Sequence, residues 1–247
     1  METSPPVALI TGAISGIGAA VARRLSRDGY YVVLHSRQSI EAGQAMAKEL
    51  GAASYIQADL ADESDRVRLV REAIAIKGRL DVLVNNAGIS QLIPHAHLAE
   101  ATADIWRDHY EVNVIAPFRL IAEAESALRA AARSGRSGCV VNVSSHAGVR
   151  PKGASIPYAA SKAALNHMTR LLALSLAPQI RVNAVAPGLV DTPLTHDWTH
   201  AQKLWQETAP MGRPASPEDI AEIVAMLINT DYLTGEIVLA DGGMNLT

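Results

Sequence analysis

The chain has 247 residues, of which 49% are hydrophobic, a formal net charge of −3 and a single cysteine, Cys139. This length allows a substantial core, and a slightly acidic chain without a basic run is not expected to bind nucleic acid. A single cysteine excludes an internal disulfide, and no signal-like segment or membrane-length apolar run is visible, so a cytoplasmic protein without membrane contact is expected.

Seven apolar runs of strand length alternate with helical patterns along the chain. Strands are predicted at residues 7–11, 31–36, 54–58, 82–85, 139–144, 181–186 and 236–240. Helices are predicted at residues 19–27, 40–50, 64–76, 104–133, 158–177 and 217–228. Such alternation, with strands apolar on both faces, is typical of a parallel sheet covered by helices on both sides. The sequence therefore predicts one α/β domain over residues 1–247, a doubly wound parallel sheet of about seven strands, with an irregular insert at about 187–217.

Three glycines follow the first predicted strand. Gly12, Gly16 and Gly18 stand where a chain can turn sharply and bring its backbone close to a pyrophosphate at a helix N-terminus. Their spacing, Gly-x3-Gly-x-Gly, differs from the Gly-x-Gly-x2-Gly of the usual dinucleotide motif, and a glycine cluster can also be only a tight turn. Their place between strand and helix favours a dinucleotide site.

The second predicted strand ends without an acidic residue. Proteins that select NAD commonly place a carboxylate there to hold the ribose hydroxyls. Here Ser36 and Arg37 occupy the position, and they can bind a 2′-phosphate that a carboxylate would repel. NADP(H) is therefore predicted over NAD(H), the alternative being that Arg37 is only a solvated surface charge.

A serine, a tyrosine and a lysine carry the chemistry predicted for the second half of the chain. Tyr158 and Lys162 are four residues apart on a predicted helix that Pro157 can open, so they share a face. An ammonium about 5 Å from a phenol, at an effective dielectric near 20, would lower the tyrosine pKa by about two units, towards neutrality. Ser145 ends an apolar strand, at the edge where open α/β sheets bind ligands. A tyrosine four residues before a lysine is common on helices, so the pair gains weight only from the rest of the chain.

Further motifs occur in a fixed order along the chain: Thr11-Gly-x3-Gly-x-Gly18, Asp59-Leu60, Asn85-Asn-Ala-Gly88, Asn113, Ser145, Tyr158-x3-Lys162, Pro187-Gly188 and Asp241-Gly-Gly243. In this order they closely resemble the motifs of the short-chain dehydrogenase/reductases, including members similar to 3-oxoacyl-ACP reductase. The match covers essentially the whole chain and implies a Rossmann fold. One position departs from the family, because Ile14 stands in the glycine turn where a polar or basic residue is usual.

The resemblance implies a role for each residue of the site. Tyr158 would be the general acid in reduction and the base in the reverse direction. Lys162 would lower the tyrosine pKa and hold the nicotinamide ribose, and Ser145, thirteen residues before the tyrosine, would bind the substrate oxygen, a role for which the adjacent Ser144 is the alternative. The cofactor contacts predicted in this way, together with those argued above, are Gly12, Ser15, Gly16, Ile17, Gly18, Ser36, Arg37, Asp59, Leu60, Asn86, Ala87, Gly88, Tyr158, Lys162, Pro187, Gly188, Val190 and Thr192. The predicted substrate contacts are Ser145, His146, Tyr158, Leu189 and Trp198.

Asn113 completes the predicted catalytic set. Pro117, four residues later, has no N–H, so the Asn113 carbonyl loses its usual helical partner and must find another donor. The resemblance implies that a water there would link Asn113 to the lysine and relay protons to solvent. The alternative is a plain helix kink with a surface asparagine.

Other sites have weaker support. No Gly-x-Ser-x-Gly sequence occurs, which argues against a hydrolase built on Ser145 and His146. His95 and His97 lack partners at metal-ligand spacing, so no metal is expected. Trp198 and Trp205 could cap a substrate or only pack the insert's own helix.

The sequence allows several substrates, and the resemblance implies an assembly. A small carbonyl compound or secondary alcohol suits the short insert. An alternative is 3-oxoacyl-ACP reduction, for which Arg129, Arg133 and Arg136 could dock an acidic carrier. A non-catalytic dinucleotide sensor is the alternative from another class. Family resemblance also implies a homotetramer, with helices at 113–133 and 158–177 between subunits.

Overall fold

The computed structural model describes residues 4–132 and 137–247. Its centre is a sheet of seven parallel strands: β1 (Val7–Ile10), β2 (Tyr31–Ser36), β3 (Ala53–Gln57), β4 (Val82–Asn85), β5 (Gly138–Val143), β6 (Ile180–Pro187) and β7 (Ile237–Ala240). The strands lie in the order β3-β2-β1-β4-β5-β6-β7. Strand order reverses between β1 and β4, and open α/β sheets bind ligands beyond the strand ends at such a point.

Helices cover both faces of the sheet. They are α1 (Gly16–Arg27), α2 (Ile40–Leu50), α3 (Glu63–Lys77), α4 (Ala103–Tyr110), α5 (Ala116–Ala132), α6 (Ile156–Leu176), α7 (Thr199–Thr208) and α8 (Pro217–Asn229). Neighbouring strand residues face opposite sides, so Ile10 packs in a core with α1, α2 and α8, and Leu9 in a second core with α3, α5 and α6. The doubly wound architecture predicted from the sequence is confirmed.

The predicted helix at 104–133 is interrupted in the structure. A π-helical segment, Glu111–Ile115, separates α4 from α5, and Asn113 lies within it. Pro117 follows in the first turn of α5, and because it has no N–H it cannot close the usual hydrogen bond to Asn113. Single π turns of this kind are frequent at functional sites. The prediction of one continuous helix is therefore wrong at the point where Asn113 enters the site.

The start of α6 shows how the sequence positions the site. Ser155 caps α6 by accepting a hydrogen bond from the Tyr158 amide at 3.4 Å, and Pro157 occupies the first turn. This start places Tyr158 and Lys162 on consecutive turns. Within the described ranges, no helix is both long and apolar enough to cross a membrane.

Candidate active site

A cavity of about 460 Å³ runs along the carboxyl ends of the strands. That volume lies in the range of small-molecule and cofactor sites. Most predicted site residues line it together: Gly12, Ser15, Gly16, Ile17, Ser36, Arg37, Asp59, Leu60, Asn86, Ala87, Gly88, Ser145, Tyr158, Lys162, Pro187, Gly188, Val190 and Thr192. Residues from both halves of the sheet therefore meet in one elongated site.

The glycine turn forms the floor of the cavity. Gly12 and Gly16 have φ values of +62° and +50°, which favour glycine. Gly18 does not line the cavity; a Cβ there would lie 2.1 Å from the Gly12 carbonyl oxygen, so Gly18 permits the turn to pack closely on α1. The Asn86 amide holds the turn by donating to the Gly12 carbonyl at 3.0 Å.

The start of α1 is suited to an anionic group. Ser15, the N-cap residue, makes no side-chain cap hydrogen bond, and the first turn holds no acidic residue. The N-terminal amides of α1 are therefore not satisfied by a side-chain cap, and their dipole favours negative charge. Gly12 and Gly16 have no side chains, so a ligand can come close to the backbone there. Together with the free amides of α1, this site fits the pyrophosphate of a dinucleotide.

The end of the cavity beside Ser36, Arg37 and Asp59, which is predicted to hold adenosine and is called the adenosine end, is polar and open. Arg37 is exposed beside the cavity, and no carboxylate stands at the end of β2. The Ser36 hydroxyl donates to the Gln38 carbonyl and lies 2.8 Å from the Tyr55 hydroxyl, so its proton is already engaged. Asp59 also lines this end. Of the two residues predicted to select a phosphate, Arg37 is therefore the one whose side chain is free to turn towards it.

The opposite end of the cavity brings together the predicted catalytic side chains. The Lys162 ammonium lies 5.9 Å from the centroid of the Tyr158 ring and donates to the Val143 carbonyl at 2.9 Å. The Ser145 hydroxyl accepts from the Ala147 amide at 3.1 Å and also hydrogen-bonds Tyr158. The hydroxyl of neighbouring Ser144 is turned away and donates to the Lys162 carbonyl at 3.3 Å. This geometry favours Ser145 over Ser144 as the serine that meets a substrate.

Burial changes the expected proton affinities. It raises the pKa of Tyr158, although the hydrogen bond from Ser145 lowers it in part. It also lowers the pKa of Lys162 to about 8. The expectation that the ammonium brings the tyrosine pKa towards neutrality is therefore wrong, because removing the phenolate from water costs more than the hydrogen bond from Ser145 returns. Tyr158 carries its proton at neutral pH.

Asn113 organises the wall between the two ends of the cavity. The oxygen of its side-chain amide accepts from the Ile89 backbone N–H at 2.9 Å, and the nitrogen donates to the Ile89 backbone carbonyl at 3.0 Å. It also donates to the Ser161 hydroxyl at 3.0 Å. A Cβ on Gly88 would lie 3.1 Å from Asn113 Oδ1 and 3.3 Å from Lys162 Nζ. Both side chains therefore pack against the same glycine. The proton relay through the Asn113 backbone carbonyl stays a prediction.

Three predicted substrate residues lie away from the cavity. His146 is 4% exposed, with its Nε2 3.5 Å from an Asp241 carboxylate oxygen and its ring edge-on to Trp205. Leu189 is buried, and Trp198 caps the start of α7 without lining the cavity. Trp205 is the tryptophan closer to the site, since a Cβ on Gly188 would meet its ring at 2.7 Å.

The cavity also has walls that the motifs did not indicate. These residues are His35, Ile89, Ser90, Val112, Val143, Ser144, Pro193, Leu194 and Thr195. Most are neighbours of predicted residues along the chain, so chain proximity was the available signal. Within the described residues, no group of three or more His, Cys, Asp or Glu side chains is placed to hold a metal ion.

Comparison with known proteins adds to this geometry. A family model described as enoyl-(acyl carrier protein) reductase matches residues 12–245. The "Granaticin polyketide synthase putative ketoacyl reductase 2" of Streptomyces violaceoruber is 48% identical over 244 residues, which cover 98% of this chain and 96% of that protein.

Two solved structures share the fold with dinucleotides bound. The 3-ketoacyl-(acyl-carrier-protein) reductase from Brucella melitensis, complexed with NADH, aligns with a TM-score of 0.89 and 33% identity over 97% of this chain and 98% of that one. The Pseudomonas aeruginosa RhlG/NADP active-site complex aligns with a TM-score of 0.89 and 33% identity over 97% and 96% of the two chains. These proteins hold different dinucleotides, so the comparison leaves the choice of cofactor open.

Proposed function

This chain belongs to the short-chain dehydrogenase/reductase family of NAD(P)-dependent oxidoreductases, and from that premise we propose that it uses NADPH to reduce a carbonyl group to an alcohol. The observation that carries the proposal is the single cavity with Tyr158, Ser145 and Lys162 at one end and Arg37 at the other. A cavity of this form can hold a dinucleotide along the glycine turn and a carbonyl compound beside the phenol. In the reverse direction the same site would oxidise a secondary alcohol.

The residues at the catalytic end divide the work of proton transfer. When bound, NADPH supplies the hydride. The Ser145 hydroxyl donates to the carbonyl oxygen of the substrate and steadies the negative charge that develops there. The Tyr158 phenol then gives its proton to that oxygen. The raised pKa of Tyr158 suits this direction, because the phenol stays protonated until the alkoxide forms.

Lys162 and Asn113 support the phenol from behind. The Lys162 ammonium stabilises the phenolate left after proton transfer, and it would also hold the ribose hydroxyls of the dinucleotide. Its buried position makes that charge effective and brings its pKa down to about 8. The Asn113 backbone carbonyl, without a partner at Pro117, is the proposed outlet through which a proton returns from solvent.

Selection of NADP(H) is proposed to rest on Arg37. Its exposed guanidinium stands at the end of β2, where a carboxylate would otherwise repel a 2′-phosphate. Ser36 can join it only if its hydroxyl turns from the Gln38 carbonyl.

A second candidate is reduction of a 3-oxoacyl thioester, which the 48% identity to a protein named as a ketoacyl reductase favours. The proposed basic docking patch has weaker support. Arg129 is paired with Glu125 at 2.8 Å and Gln179 at 2.9 Å, and Arg133 and Arg136 lie outside the described residues. A small thioester such as an acetoacetyl thioester tests the chemistry without the carrier.

The test is NADPH oxidation with a panel of ketones, aldehydes and acetoacetyl thioesters, repeated with Tyr158→Phe. Turnover that the substitution abolishes supports the proposal. Tight binding of NADPH with no turnover on any carbonyl would indicate a dinucleotide sensor.

We also propose that the protein is a homotetramer. Phe118 on α5 and Leu171 and Leu174 on α6 are 44%, 53% and 82% exposed, and apolar side chains of this kind fit helix faces that are covered in an assembly. Light scattering on the purified protein measures the mass; a monomer at micromolar concentration would contradict this. A cytoplasmic location stays a prediction.

A further inference from the structure

His35 is a buried titratable residue that the proposed chemistry does not use. It lies in β2, immediately before Ser36 and Arg37, and its side chain is 1% exposed. His35 nevertheless lines the cavity. A strand interior has little need for an imidazole, because a polar ring buried there must find partners for both of its nitrogens.

Both nitrogens find partners on strands that do not touch each other. His35 Nδ1 lies 3.2 Å from the Gly12 amide, at the start of the glycine turn after β1. His35 Nε2 lies 3.0 Å from the Ala58 carbonyl, directly after β3. β2 separates β1 from β3, so no backbone hydrogen bond of the sheet can join these two ends. Among the described residues, the imidazole is the side chain that hydrogen-bonds both the glycine turn and Ala58, the residue before Asp59 and Leu60.

The partners fix the protonation of the ring. The Gly12 amide is a donor, so Nδ1 must accept; the Ala58 carbonyl is an acceptor, so Nε2 must carry the proton. Only the neutral ring meets both demands. Burial lowers the pKa of His35 to about 4, with Asp59 and Asp65 opposing that shift and Arg68 adding to it. The ring is therefore neutral at pH 7.

His35 also holds the next residue of the turn. Its backbone carbonyl accepts from the Ala13 amide at 2.8 Å. On the other side the Asn86 amide holds the Gly12 carbonyl. The backbone amides of Gly12 and Ala13, the first two residues of the glycine turn, therefore donate to His35, and the Gly12 carbonyl accepts from Asn86. A shift of this turn would move the N-terminus of α1 relative to Asp59 and Leu60.

We propose that His35 is a positioning residue for the dinucleotide, which sets the glycine turn against the Asp59-Leu60 segment so that pyrophosphate and adenosine can be held at once. This rests on the proposed dinucleotide site. It assigns His35 to cofactor affinity and separates it from proton transfer, because Ser145 follows β5 and Tyr158 and Lys162 lie on α6, on the other side of β1 and β4.

Two amide substitutions separate the two hydrogen bonds. In His35→Asn the side-chain oxygen can take the place of Nδ1 and still accept from Gly12. In His35→Gln the amide can take the place of Nε2 and donate to Ala58, while the Gly12 amide loses its acceptor. His35→Leu removes both bonds, and His200→Gln, an exposed histidine on α7, is the matched control.

The primary readout is the dissociation constant of NADPH, measured at pH 7 by the fluorescence of the bound nicotinamide, with thermal unfolding to confirm a folded protein. We expect about a tenfold loss of affinity for each of His35→Asn and His35→Gln, the size of one buried hydrogen bond, because each variant breaks one of the two bonds that join the turn to the segment. Turnover at saturating NADPH should fall less than about twofold in either variant.

The outcomes are distinct. Wild-type protein that binds no dinucleotide would overturn the proposed function itself. Binding that is equal in wild type, His35→Asn and His35→Gln would overturn the role of His35 alone. A loss of affinity in only one of the Asn and Gln variants, or a loss of saturated turnover as large as the loss of affinity, would also contradict it. If His35→Leu fails to fold, the Asn and Gln variants still decide.

Discussion

The two ends of the cavity are built differently. At the catalytic end the Lys162 side chain is 5% exposed, and Asn113 and Lys162 each make hydrogen bonds that fix their position. At the adenosine end Arg37 is exposed, and among the described residues no ion pair of its guanidinium is found. A buried and braced group can have its pKa shifted and its orientation kept, whereas an exposed charge can only attract or repel. We therefore expect the buried end to set the reaction and the exposed end to select the cofactor.

The largest effect should follow from a change at the buried end. Tyr158→Phe removes the proton that the carbonyl oxygen takes, so kcat should fall about 10³-fold, as for loss of a general acid. The dissociation constant of NADPH should stay within about twofold, measured by fluorescence titration. Tyr232→Phe, at a side chain that is 99% exposed, is the control. Activity above a tenth of wild type in Tyr158→Phe would place the acid elsewhere.

A change at the exposed end should alter binding and leave the chemistry intact. Arg37→Glu loses a charge-assisted contact to a 2′-phosphate and adds repulsion, so the dissociation constant of NADPH should rise by about 10- to 100-fold while that of NADH stays within about threefold. Arg27→Glu, an exposed residue at the far end of α1, makes the same charge change away from the cavity. Equal losses for both dinucleotides would end the assignment of NADP(H) to Arg37.

The buried end should also set the pH dependence of reduction. The pKa of Lys162 is lowered to about 8, so its ammonium is present below that pH and lost above it. The pKa of Tyr158 is raised, so the phenol does not limit the rate in this range. The rate constant kcat/KM should therefore fall about tenfold per pH unit above pH 8. Lys162→Arg stays charged at these pH values, so its kcat/KM should not fall above pH 8, although its overall rate is expected to be lower. A wild-type kcat/KM that is constant up to pH 10 would contradict the account.

The smallest effects are expected beside the insert. Trp205 supports Gly188, which lines the cavity, whereas Trp198 only begins α7. Trp205→Leu should raise the substrate KM by about fivefold through loss of packing, and Trp198→Leu by less than about twofold. Steady-state kinetics at saturating NADPH measure both. A larger effect from Trp198 would restore it as a substrate contact.

Much of the fold could be predicted because the local pattern and the tertiary packing agree. Each strand is buried on both faces over most of the sheet, and the apolar runs located all seven of them to within one residue at each end. The π-helical segment was different. Pro117 predicts that the helix is disturbed nearby. Whether the helix kinks or forms a wider π turn there depends on how α6 packs against this segment.

The site was predictable where chemistry depends on motif order, and less so where it depends on orientation. His146 follows Ser145 directly, which suggested a shared cleft. The backbone at Ser145 is extended, with φ −162° and ψ 152°, so the next side chain points away, and a short 3-10 turn buries it. The prediction of the Tyr158 pKa was wrong for another reason. The attraction between a phenolate and an ammonium can be estimated from residue spacing, but the cost of burying the phenolate depends on the surrounding structure.

The central claim, hydride transfer to a carbonyl with Tyr158 as the acid, can be tested by following the label from NADPH that carries deuterium on the reactive face of nicotinamide C4. Wild-type protein with a reducible ketone should give an alcohol with one deuterium on the carbinol carbon, and Tyr158→Phe should bind the labelled cofactor yet form almost none of this product. Bound cofactor with no deuterium in any product across the ketone, aldehyde and thioester panel would contradict the account.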